Sequence, residues 1–230
     1  MCTLKTDGYE IIRSVLSEDK VAELRIEADR VVAQANSVCV RHLRANSKVF
    51  DELSASEKIL NLISSGLSPV RSILFDKTPL ENWPVAWHQD LTIAVEDKED
   101  VDGYGPWSFK DGVVHVQPPV DLLNNMATIR IHLDETPESN GALRVVPATH
   151  NLGKIASKDI KRYTGGSSVT CNCSAGDVLL ISPLILHSSR RSEVPERRRV
   201  IHFEYACLCD LDSQLTWHEH NQKERTRERK

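Results

Sequence analysis

The chain has 230 residues, 40 % of them hydrophobic and 27 % charged, with a formal net charge of −4. That is ordinary globular composition, sized for one large domain, and its charge gives no reason to expect nucleic acid or an anionic membrane as partner. No apolar run approaches the ~20 residues of a membrane helix. The opening "MCTLKTDGYEII" lacks the apolar core and cleavage site of a secretory signal, so the expected location is cytoplasmic.

Ser17 is a good N-cap, with Glu18 and Asp19 in the first turn behind it. Val21, Leu24, Ala28, Val31, Val32 and Ala35 then recur at helical spacing, which predicts an amphipathic helix over about 17–36. Ser54 and Glu57 form an S-x-x-E capping box for a second helix, which Gly66 can end. After Gly66 the texture changes to strand-like runs at 69–76, 87–95, 127–134, 142–149, 167–173, 177–187 and 199–208. Strands following a helical N-terminal part of about 1–66, without regular alternation of strand and helix, argue against a doubly wound sheet. They predict a mainly β jelly-roll or cupin-like barrel, a double-stranded β-helix, with helices packed outside.

The segment 96–126 is a long connection punctuated by Gly and Pro, with Tyr104, Trp107, Phe109 and Val113 to pack, and is expected to be a lid. The domain is expected to span 1–217, and the polar tail 218–230 to be disordered, its His218-x-His220 pair incidental. Six cysteines include the C-x-C pairs Cys171/Cys173 and Cys207/Cys209. That spacing is too short for an ordinary disulfide in a regular strand, so the thiols are expected to be free in a reducing compartment.

A strand puts residues i and i+2 on one face, roughly 7 Å apart. A His-x-Asp or His-x-Glu pair at a strand end can therefore converge on one metal, and two histidines with one carboxylate form the facial triad of non-haem iron sites. Three pairs qualify: His88-x-Asp90, His132-x-Asp134 and His202-x-Glu204. A satisfied core or surface histidine is the plain alternative for each. Alternation puts Arg198, Val200 and His202 on one face of their strand, and Thr128, Arg130 and His132 on one face of theirs. The opposite, apolar faces are expected to meet the helices, turning Arg198 and Arg130 into the barrel. An arginine fork there suits a carboxylate.

Together "DGYEIIRSVLSEDKVAELR", "WHQD", "LDETPESNGALRVVPATH" and "GDVLLISPLILHSSRRSEVPERRRVIHFEY" resemble the phytanoyl-CoA dioxygenase family of Fe(II)/2-oxoglutarate oxygenases over nearly the whole chain. The resemblance implies His88, Asp90 and His187 as iron ligands. It implies Arg198, at the family's interval from His187, for the distal carboxylate of 2-oxoglutarate, with Ser189 as hydroxyl partner. Lys77 or Arg71, Gln89 and Arg130 are further candidates for the co-substrate pocket. Arg130 can instead meet an acidic substrate group. Ala148 stands where the family has Gly, and "HSSRRS" lacks an Asn common near the second arginine.

The implied reaction consumes O2 and 2-oxoglutarate, releases succinate and CO2, and hydroxylates a small-molecule substrate. Ascorbate serves as a possible addition in vitro. Asp90 argues against halogenation, because family halogenases replace that carboxylate. Arg71, Arg130 and Arg144 hint at an acidic substrate. The alternatives are a non-catalytic jelly-roll metal- or ligand-binding protein and a metal-dependent cupin isomerase or hydrolase. Neither the substrate nor the oligomeric state is readable from the sequence.

Overall fold

The computed structural model describes residues 3–194 and 196–219. A short helix α1 (Thr3–Asp7) and strand β1 (Tyr9–Ile12) precede the long helix α2 (Glu18–Ala35). Ser17 caps α2, its hydroxyl accepting from the Lys20 amide at 3.4 Å. The helix buries Val21, Leu24, Ala28 and Val31, the face its periodicity marks. Strand β2 (Cys39–Arg41) and three short helices follow, α3 (Leu43–Asn46), α4 (Lys48–Ser54) and α5 (Glu57–Leu60). The capping box expected at Ser54 and Glu57 does not form. Ser54 is the buried last residue of α4, and its hydroxyl donates back to the Asp51 carbonyl at 2.7 Å. Gly66 lies beyond the end of α5, in the turn that enters the next strand.

The remaining strands are β3 (Ser68–Lys77), β4 (Val85–His88), β5 (Ile93–Val95), β6 (Trp107–Lys110), β7 (Val113–Val116), β8 (Ala127–His132), β9 (Leu143–Val146), β10 (Val169–Cys171), β11 (Val178–Ile181), β12 (Leu186–Ser189) and β13 (Arg198–Ala206). One antiparallel sheet runs β1-β11-β8-β13-β3-β2 and a second runs β10-β9-β12-β4. Leu143 and Val145 of the second sheet pack against Leu179 and Ile181 of the first. This is the expected jelly roll, with helices outside. Ile129, Ile131, Ile201 and Phe203 form one core with the buried face of α2. Their alternate neighbours, Arg130, Val200 and His202, line a cavity inside the barrel.

Two of the expected strands are each split. The run 87–95 becomes β4 and β5, and 177–187 becomes β11 and β12, with Pro183 in the break. In both cases the chain passes from one sheet to another, which a single straight strand cannot do. Ala148 has φ +63°, in the left-handed region that favours the glycine it replaces.

The connection 96–126 is structured. β6 and β7 form a hairpin, with Asp111 and Gly112 at φ +51° and +81° in its turn, the conformation Asp-Gly suits. β7 also pairs with β5, and Ile93, Val95 and Val116 pack with Trp217 and with Leu122 and Leu123 of helix α6 (Val120–Asn125). An Arg41–Asp111 ion pair ties the hairpin tip to β2.

Two further expectations are corrected. Cys207 and Cys209 are joined in a disulfide. They lie at a 3-10 turn rather than in a strand, and their Cα atoms are 5.2 Å apart. Cys39, Cys171 and Cys173 are free, and Cys2 lies outside the described residues. Within the tail expected to be disordered, Glu219 is buried and accepts from the Ser72 amide and hydroxyl at 2.8 and 2.7 Å. Residues 220–230, His220 included, lie outside the described residues. No described helix is long and apolar enough to cross a membrane.

Candidate metal centre and its two cavities

His88, the last residue of β4, is paired in register with His187 on β12. That pairing sets the two imidazoles side by side, with ring centroids 4.2 Å apart. Each ring's Nδ1 faces a backbone carbonyl two residues earlier, Ala86 at 2.8 Å for His88 and Ile185 at 3.0 Å for His187. With Nδ1 carrying the proton that donates to this carbonyl, each Nε2 lone pair is free. This is the tautomer a metal-binding histidine needs.

Asp90 follows β4, where its amide donates to the Pro183 carbonyl at 2.9 Å. Its Oδ1 lies 3.5 Å from His88 Nε2 and its Oδ2 3.6 Å from His187 Nε2. The three donor atoms lie within 4.8 Å of one another. Two imidazole nitrogens and one carboxylate oxygen, with donor hydrogens turned away, fit a divalent iron-type ion.

The electrostatics suit a cation. Burial works to raise the Asp90 pKa, but His187 and His88 prevail and hold it well below the usual carboxylate range. Burial pushes His187 down to about 4 despite Asp90, so its ring stays neutral at ordinary pH. At His88 burial pulls the other way, yet the Asp90 carboxylate lifts the pKa.

A cavity of about 250 Å³ opens on the triad from inside the barrel. Arg198, Lys77, Arg130, Ser189 and Trp83 line it. The Arg198 guanidinium and the Ser189 hydroxyl both donate to the Gly141 carbonyl, Ser189 at 3.1 Å. Gly141 must be glycine, since a Cβ there would lie 2.7 Å from the Arg190 carbonyl oxygen at φ +69°. Burial, then Arg198 and Arg130, push Lys77 down to about 7. Burial and then Arg130 push Arg198 down to about 10. Two arginines and a lysine with so little carboxylate opposite them form an anion pocket.

A second cavity, of about 420 Å³, meets the same His88 and Asp90 from another side, with Arg71 and Lys110 on its walls. Gln89 belongs here and not to the inner cavity. Its amide nitrogen donates to the Gly153 and Leu184 carbonyls at 2.8 and 2.6 Å, and its oxygen accepts from the Ile155 amide at 2.8 Å. That spends the side-chain amide on backbone groups rather than on the inner cavity. Arg71 likewise lines the outer cavity, and Arg144 stacks on Trp87 with its guanidinium 4.9 Å from the ring centroid.

The other two His-x-acid pairs do not build metal centres. Asp134 is held by Arg199, through the backbone amide at 2.8 Å and side-chain bonds at 2.9 and 2.8 Å. His202 and Glu204 form part of a buried chain instead. Arg130 donates to His202 Nδ1 at 3.1 Å, His202 Nε2 faces Glu204 at 3.2 Å, and Arg71 donates to Glu204 at 3.0 Å. The chain joins the two cavities. Alternation on "RVIHFEY" places its members on one face, but not its far end at Arg71.

An antiparallel jelly roll with two histidines and a carboxylate at one mouth defines a cupin-type metal-site protein. The chain belongs to the phytanoyl-CoA dioxygenase (PhyH) family, whose model matches residues 4–200. Solved structures share the fold. The epimerase SnoN from nogalamycin biosynthesis, in complex with Fe3+, alpha ketoglutarate and nogalamycin RO, is 20 % identical over 90 % of this chain and 81 % of its own, with a TM-score of 0.70. The carbocyclase SnoK of the same biosynthesis is 18 % identical over 90 % of this chain and 82 % of its own, also at 0.70. HygX from Streptomyces hygroscopicus, with nickel and 2-oxoglutarate bound, is 17 % identical over 88 % of this chain and 84 % of its own, at 0.63. No curated protein matches the sequence.

Proposed function

We propose that the protein is an Fe(II)- and 2-oxoglutarate-dependent dioxygenase that hydroxylates a small-molecule substrate. One observation carries this reading: the His88–Asp90–His187 donor set opens directly onto the cationic cavity of Arg198, Lys77 and Arg130. A metal isomerase or hydrolase needs the first feature and not the second. Family membership and the iron- and 2-oxoglutarate-bound SnoN complex support it.

His88, Asp90 and His187 would hold the ion, with the Ala86 and Ile185 carbonyls fixing the two rings. Iron bound there supplies the oxidising chemistry, coupling O2 and the conversion of 2-oxoglutarate to succinate and CO2 to oxidation of one substrate C–H bond. Arg198 and Ser189, already aimed at one carbonyl, would grip the distal carboxylate of 2-oxoglutarate. Lys77 and Arg130 would add positive charge along its length. Trp83, Phe75 and Val85 wall the inner cavity and limit water there.

The test is succinate formation from 2-oxoglutarate by purified protein with Fe(II) and ascorbate, alongside 2-oxoglutarate binding by calorimetry. Neither binding nor turnover under any condition sinks the proposal. Because SnoN and SnoK are an epimerase and a carbocyclase, product mass decides the outcome. One added oxygen supports hydroxylation, and an isomer or a loss of two hydrogens replaces it.

A further inference from the structure

We infer that the outer cavity is the substrate site and takes a small molecule bearing a carboxylate, anchored by Arg71 and Lys110. This rests on the dioxygenase reading and adds the substrate's chemical class.

The cavity is built from three sides against the triad. Arg71 projects from β3, and among the described residues only its Nη1 is engaged, by Glu204 at 3.0 Å, which leaves the rest of the guanidinium fork for a ligand. Lys110 comes from the β6–β7 hairpin, whose tip the Arg41–Asp111 pair holds against β2. Ile155, Ser157 and Ile160 form the third wall, drawn to the triad by the hydrogen bonds of Gln89. The sole carboxylate among the lining residues is Asp90, which the metal centre takes up. Two cations without a free carboxylate favour an anion, and a planar fork favours a carboxylate over a spherical ion. Thr92, Gln117 and Ser157 add hydroxyl and amide groups, so the rest of the ligand is polar on one side and meets Leu91 and Ile155 on the other.

Glu204 places Arg71 rather than neutralising the pocket. It is buried and also faces His202. Arg71 is therefore held in position, with one N–H donor on Glu204 and no other engaged among the described residues.

Ligand-observed fluorine NMR tests this on the metal-loaded protein. The probes are fluorobenzoate, fluorophenylacetate and trifluoroacetylglycine, each paired with its primary amide. At least one acid should bind at least about tenfold more tightly than its amide, the size of one charge-assisted hydrogen bond. Arg71→Gln should erase that preference. Lys110→Gln, an exposed hairpin residue whose loss should leave the fold intact, should reduce it. No acid binding, equal binding of acid and amide, or a preference unchanged in both variants overturns the inference. Succinate and 2-oxoglutarate binding, measured separately, reports on the dioxygenase reading. If these bind through Arg198 and the acids do not bind, only the substrate class is wrong.

Discussion

His88-x-Asp90 and His132-x-Asp134 each begin with the last residue of a strand and place the acid two residues on. At β4 the register partner of the histidine is His187, and Asp90 turns both oxygens toward imidazoles. At β8 the partner is Val200, and Asp134 is drawn outward by the Arg199 fork, with Arg25 3.3 Å away. His132 is left facing inward with Thr136, and burial, then Arg130 and Arg198, push its pKa down to about 3. Whether a His-x-acid motif can hold a metal depends on what stands across the ladder and what competes for the carboxylate. The motif itself decides neither.

The largest effects separate the two acids. Asp90→Ala should abolish Fe(II) binding and succinate formation, while the melting temperature stays near that of the parent. Asp134→Ala should do the reverse. It takes from the buried Arg199 guanidinium its bidentate carboxylate and leaves only the more exposed Asp29, at a cost of about 2 kcal/mol or more. Metal binding per folded molecule should be unchanged. Denaturant titration and metal-binding calorimetry on both variants check this. A folded Asp134→Ala protein that has lost its metal site would break the comparison.

The next effects fall in the inner cavity. Arg198→Gln should weaken 2-oxoglutarate binding by about tenfold to a hundredfold, as loss of charge-assisted hydrogen bonds implies. Ser189→Ala removes one neutral hydroxyl and should cost about fivefold. Calorimetry with the metal-loaded protein measures both. Equal losses would mean that Arg198 does not face the carboxylate.

Much of this was legible beforehand for one reason: alternation on β8 and β13 reports the same inward face twice. Arg130, Arg198 and His202 stand where period-two counting puts them. What alternation cannot report is where a strand stops. Run 87–95 reads as one strand because Leu91 and Ile93 continue its apolar pattern, but Asp90 lies in the break between sheets. Gln89 reads as a ligand neighbour, although its side-chain hydrogen bonds go to backbone groups, and those partners are invisible in a sequence. Lys110 and Arg71 enter one cavity because a hairpin folds back over β2 and β3. That long-range contact includes the Asp111–Arg41 pair, which no local pattern marks.

The smallest effect is a pH dependence, and it contrasts Lys77 with the two arginines beside it. Burial, then Arg198 and Arg130, bring Lys77 to about 7, whereas Arg198, at about 10, stays charged throughout the neutral range. The inner cavity therefore loses one of its three cations as pH rises through about 7. A bound dicarboxylate favours the charged lysine, so binding should take up a proton above that pH, and 2-oxoglutarate affinity should fall from pH 7 toward 9. Calorimetry in two buffers of different ionisation enthalpy measures the proton uptake, and Lys77→Met should flatten the profile. The ligand-free fold carries the opposite sign. Its Lys77 pKa lies below the ordinary ~10.4, so the unfolded chain binds more protons between about 7 and 10, and this group makes stability rise with pH across that window. A ligand affinity that falls while ligand-free stability rises, both through Lys77, separates this lysine from a plain surface cation, which would move neither.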